Sequence, residues 1–119
     1  MSLSELFDYT NFYNTPCTGK LNHDEENVVI TGYIKQGNTF LGENRFLIFE
    51  NNTFLSRSLQ VNIINNSDLI SKKIYPALIH SGFIKITLRV RIISKPIYTY
   101  FDSFMGISLT LDNEKDIRF

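Results

Sequence analysis

Residues Ile84-Lys85-Ile86-Thr87-Leu88-Arg89-Val90-Arg91-Ile92 alternate aliphatic and polar side chains without a break. A period of two suits a β-strand, because successive strand side chains point to opposite faces of a sheet. A one-residue slip in pairing would put Ile84, Ile86, Leu88, Val90 and Ile92 into water and bury Lys85, Arg89 and Arg91, so the pattern strongly specifies the register. Burying the five aliphatic side chains contributes roughly 7 to 15 kcal/mol before conformational entropy is subtracted, at about 1.5 to 3 kcal/mol each. This strand is expected to organise the core and to carry a basic wet face.

The rest of the chain supplies partners for it. Ser2 and Glu5 have the spacing of a helix capping box, and Leu3, Leu6 and Phe7 follow on one helical face. A short N-terminal helix is expected within residues 1–15, ending by Asn14-Thr15-Pro16 because proline restricts the residue before it. The acidic run His23-Asp24-Glu25-Glu26-Asn27 reads as an exposed loop. Val28 to Lys35 reads as a strand running into a turn at Gln36-Gly37-Asn38, with Gly32 marking a bulge or a sharp bend. Arg45 to Glu50 and Leu59 to Ile63 are further strands, the latter with Leu59, Val61 and Ile63 inward.

Asn65, Asn66, Ser67 and Asp68 are candidate N-caps for a helix over residues 67–80, where Ile70, Ile74 and Leu78 recur four apart. Pro76 predicts a kink or two short pieces, and Gly82 suits the helix end. Beyond the alternating strand, Ile97 to Phe101 and Ile107 to Leu111 also alternate. The charged tail 112–119 is expected to be loosely held, with Ile117 and Phe119 able to dock.

The order strand, strand, strand, helix, strand, strand over residues 27–111 resembles the OB-fold, a five-stranded Greek-key barrel with a helix between its third and fourth strands. The expected class is therefore mainly β with one or two helices and an N-terminal helical extension. A β-sandwich, or a curled antiparallel sheet packed on helices, is the alternative architecture. With 119 residues and 43% hydrophobic content, one domain with one core is expected.

Twelve Lys and Arg balance twelve Asp and Glu, so no overall field draws the chain to nucleic acid or an anionic membrane. The halves differ: residues 1–60 carry a net charge of minus three and residues 61–119 plus three. Cys17 is the sole cysteine, which excludes an intrachain disulfide and a thiolate cluster and fits a reducing, cytoplasmic setting. No signal peptide or membrane span is expected. The sequons at Asn51 and Asn65 are then accidental.

No motif specifies a reaction, and the chain is not expected to be an enzyme. His23 and His80 are far apart, and His80 is best explained as a cation near a helix C-terminus. His23-Asp24-Glu25-Glu26 holds ligand-type residues that diverge along a loop, so no metal or cofactor is expected. Thr18-Gly19-Lys20 lacks the upstream glycine and following Ser or Thr of a phosphate loop. Lys20 is the one cation near Cys17, and nothing argues for an activated thiolate there.

Two binding surfaces remain. Lys85, Arg89 and Arg91, joined by Tyr98 and Tyr100, combine cations and aromatic rings in the manner of a single-stranded nucleic-acid site. Exposed tyrosines beside charges equally suit a protein interface. In its length, its asparagine- and isoleucine-rich β pattern and its lack of a catalytic signature, the chain resembles the bacterial immunity proteins that neutralise contact-dependent growth-inhibition toxins. That resemblance implies a stoichiometric complex that occludes a toxin domain, often a nuclease. A basic toxin would meet Asp24, Glu25, Glu26, Glu43 and Glu50, and an acidic one would meet the basic strand.

Overall fold

The structure is a computed structural model that describes residues 1–37, 39–53, 55–64 and 68–119. Helix α1 (Leu3–Tyr9) leads into strand β1 (Asn27–Lys35), a short β2 (Phe40–Gly42), β3 (Arg45–Phe49) and β4 (Ser58–Ile63). A π-helical turn over Ile70–Ile74 continues as α2 (Tyr75–Ser81), followed by β5 (Phe83–Tyr98), β6 (Ser103–Leu111) and β7 (Ile117–Arg118). The radius of gyration is 14.1 Å, close to the ~13.5 Å of a compact unit of this length.

The alternating stretch lies in β5, which runs for 16 residues and is the hub of a mixed sheet. Ile86, Leu88, Val90 and Ile92 are almost wholly buried, whereas Ile84, near the strand start, is only half-buried. One edge of β5 pairs antiparallel with β1, from Lys35↔Phe83 to Asn27↔Arg91. The other pairs antiparallel with β7 at Thr87 and Leu88 and with β6 from Arg91 to Tyr98. β6 pairs parallel with β4, β4 antiparallel with β3, and β3 with β1 through Tyr33↔Phe49. The parallel β4/β6 ladder rules out a purely antiparallel sheet, and all seven strands belong to one hydrogen-bonded sheet.

Several boundaries depart from the sequence reading. The capping box forms as expected, with the Ser2 side chain accepting from the Glu5 amide, and α1 ends at Tyr9, well before Asn14-Thr15-Pro16. A 3-10 turn over Phe12–Asn14 follows it. Gly32 makes no bulge, because its register with Ile86 continues unbroken on both sides. It is instead a close approach, since a Cβ there would stand 2.6 Å from Ile48 Cγ1 and 2.9 Å from the Phe49 carbonyl oxygen.

The two-piece helix expected from Pro76 is present: the π turn closes before the proline, which then sits in the first turn of α2 where its missing N–H costs no bond. Ile70, Ile74 and Leu78 are buried, and Gly82 ends the helix at φ 77°. Asn38 and the candidate caps Asn65, Asn66 and Ser67 lie outside the described residues.

Ile97 to Phe101 is not a separate strand. β5 passes through Pro96 to Tyr98, and a tight turn then leads into β6. Proline is tolerated there because the amides of Ile92 and Ser94, of the same parity, point away from β6 to Glu26 and Asp24. Pro96 faces that same edge beyond the reach of β1, where no N–H is required. The tail also departs from expectation: Ile117 is buried and β7 joins the sheet, while Phe119 stays exposed.

Candidate partner-binding site

The β5/β6 hairpin ends in a tip whose backbone is tightly held. The Thr99 amide donates to the Asp102 carbonyl at 2.7 Å, the Asp102 amide to Thr99 Oγ1 at 3.0 Å, and the Ser103 amide to Asp102 Oδ1 at 2.7 Å. These local bonds offer the backbone a turn in place of a ladder. The turn projects large aromatic side chains: Tyr98 is 74% exposed, Tyr100 94% and Phe101 93%. Tyr100 and Phe101 meet edge to face with centroids 4.9 Å apart.

Beneath the tip the hairpin forms one wall of a groove of about 480 Å3, contributed by Lys95, Ile97, Phe104 and Gly106 and facing Phe12 and Tyr13. Phe104 and Phe12 pack edge to face at 6.2 Å, as do Phe12 and Phe7 at 4.9 Å. Arg57 fastens the N-terminal segment here. Its guanidinium lies over the Phe7 ring at 4.3 Å, donates to the Tyr13 hydroxyl, and forms two bonds to the Glu50 carboxylate at 2.8 and 3.0 Å.

Glu50 also accepts from Ser4 Oγ at 2.6 Å. The hydrogen bonds from Arg57 and then Ser4 lower its pKa from the ordinary 4.5 to about 2. A carboxylate depressed on folding contributes stability that is complete above its ordinary range and lost as pH falls towards the folded value. Chemical unfolding of Glu50→Gln should therefore show a loss of about 1 kcal/mol at neutral pH. It should also show a shallower decline of stability between pH 4.5 and about 2. An unchanged acid profile in the variant would refute this assignment.

The acidic candidates do not form one patch. Asp24 is half-buried and accepts from the Ser94 amide at 2.6 Å. Glu26 accepts from the Tyr9 hydroxyl at 2.8 Å and lies 2.6 Å from His23 Nδ1, while the Tyr9 and His23 rings stack at 3.8 Å. The bond from Tyr9, followed by that from His23, holds the Glu26 carboxyl below its ordinary value. Glu50 is bound to Arg57, which leaves Glu25 and Glu43 exposed on different connections.

The basic candidates divide as well. Arg91 is paired with Asp112 at 3.2 Å, while Lys85 and Arg89 are exposed. Tyr98 has the opposite strand parity and stands nine residues from Arg89, about 30 Å along an extended strand. Cations and rings therefore do not share one surface. Phe101 and Phe104 were missed as site residues because the alternation over 97–101 reads as continuing strand and conceals the turn. The signal that marks them is Thr99 with Asp102, two turn-forming side chains three residues apart.

No protein-family model matches the chain, and neither a curated protein nor a solved structure matches it. Among the described residues, no helix is long and apolar enough to cross a membrane, and no group of three or more His, Cys, Asp or Glu is placed to hold a metal ion.

Proposed function

We propose that the chain is a small cytoplasmic protein-binding inhibitor of the immunity-protein kind, which neutralises a toxin domain by inserting its β5/β6 hairpin into the toxin's cleft. The observation that carries this reading is the near-complete exposure of Tyr100 and Phe101 on a turn already fixed by its own hydrogen bonds. Exposed aromatic anchors supply most of the energy of protein interfaces, and a pre-ordered loop loses little entropy on binding. A projecting hairpin is complementary to a concave active site. The apolar groove below the tip extends the contact area.

The proposed frame is an OB-like Greek-key barrel. It is supported by the circuit of pairings β1 to β3 to β4 to β6 to β5 and back to β1, by the parallel β4/β6 pair, and by the placement of α2 between β4 and β5. Such a frame would hold the hairpin at a fixed angle.

The test is co-expression with the product of the adjacent reading frame, which is expected to encode a toxic domain. Restored growth and a one-to-one complex on size exclusion are expected; continued toxicity with two separately eluting proteins would refute the proposal. The nucleic-acid alternative, with Lys85, Arg89, Arg91, Tyr98 and Tyr100 as its site, is weakened by the ~30 Å between cations and rings. It requires a labelled single-stranded oligonucleotide to bind at about 50 mM salt and to dissociate steeply as salt rises. No binding under those conditions is expected.

A further inference from the structure

A second surface, remote from the hairpin tip, is built where β1 and β7 flank the middle of β5. Arg89, Lys115 and Arg118 line one concavity of about 370 Å3 there, together with Asp116, Val29 and Thr87. Three cations and one carboxylate leave a surplus of two positive charges. None of the ion pairs among the described residues involves any of the three cations. Two residues along β5, by contrast, Arg91 is neutralised by Asp112.

The cations are held there by structure. Burial of Ile117 docks the tail and pairs Arg118 directly with Thr87, so Arg118 shares a sheet face with Arg89. The amide of Lys115 donates to Asn113 Oδ1 at 2.9 Å, which fixes the turn that carries it. Unneutralised cations gathered around one hollow repel each other, and an anion relieves that cost. Two guanidinium forks match the oxygens of a phosphoryl group, and a dianion matches the surplus charge where a monocarboxylate would not.

We propose that this concavity binds a small phosphorylated molecule through Arg89, Arg118 and Lys115, with a phosphate monoester or diphosphate group as the bound part. The volume suits a ligand of that size. The site is independent of toxin inhibition and does not rest on it.

Titration of the full chain with pyrophosphate at low ionic strength tests this by calorimetry. Saturable one-to-one binding is expected, with a rise in the thermal midpoint on addition of the ligand. In Arg89→Ser/Arg118→Ser the affinity should fall about tenfold or more, the range expected when charge-assisted bidentate bonds are lost. Lys72→Ser/Lys73→Ser removes the same charge from the exposed face of the π turn and should leave binding unchanged. Lys115→Met, a single change on the exposed tail, gives the same readout if the double arginine variant does not fold.

Absence of saturable heat, or equal losses in the arginine and lysine pairs, would overturn the proposal. So would affinity for single-stranded oligonucleotides that exceeds that for pyrophosphate and grows with length, which would assign the cations to a polymer backbone.

Discussion

Replacing Tyr100 and Phe101 together by alanine should weaken the proposed complex with a toxin domain about 100-fold, the loss of ~3 kcal/mol that a pair of central aromatic anchors carries. Both side chains are almost fully exposed and contact each other rather than the core, so the thermal midpoint of the free protein should not change. The loss should appear in the dissociation rate, because truncated anchors leave the encounter unaffected and shorten the bound state. Glu25→Gln/Glu43→Gln provides the contrast. Neither of these exposed charges enters an ion pair among the described residues, so their removal should alter the association rate and its salt dependence. Surface plasmon resonance separates the two behaviours. Unchanged dissociation in the aromatic variant would remove the hairpin from the interface.

The legible parts of the fold were those in which local pattern and tertiary burial agree. Ile86 to Ile92 alternate because β1 lies along one edge, β7 and then β6 along the other, and the core lies on one face, so period and burial carry the same information. The capping box, the split at Pro76 and the glycine end of α2 are local chemistry and appear where the sequence places them. Pro96 lies inside β5 for a reason remote in the sequence: β1 stops pairing at Arg91 and the loop before it bonds only as far as Ser94, which leaves that edge of β5 open at the proline. Only topology reveals that edge. β2 and β7, at three and two residues, are too short for periodicity to register.

The candidate site was less legible for a related reason. A charged residue looks available in a sequence until its partner is known. Glu50 is held by Arg57, Asp24 by the Ser94 amide and Arg91 by Asp112, over separations of 7, 70 and 21 residues. Tyr98 and Tyr100 were identified, but as members of a basic face. The turn at Thr99 to Asp102 moves them to the far end of the hairpin, away from Lys85 and Arg89.

Gly32 offers the sharpest test of how the sheet is joined. Of the described ladders, β1 and β3 share the single register pair Tyr33↔Phe49, while Gly32 itself pairs with Ile86 on β5. At that point β1 passes between two neighbours, and the missing side chain leaves room for Ile48. Gly32→Ala would put a methyl group 2.7 Å from Ile48 Cδ1 and 2.9 Å from the Phe49 carbonyl oxygen. Ile48 is fully buried and the oxygen is backbone, so neither can retreat without moving β3. A loss of about 3 kcal/mol is expected, at the upper end for overpacking. Gly106→Ala meets the Ile97 side chain at Cδ1 and, at 2.9 Å, at Cγ1, but its nearest backbone atom, the Lys95 carbonyl oxygen, is 3.1 Å away, and Ile97 is only half-buried at the groove and can rotate away. That change should cost about 1 kcal/mol. Urea unfolding of both variants decides the matter. Equal losses would mean that β3 yields as easily as a side chain, and that Gly32 is not where β1 and β3 are held together.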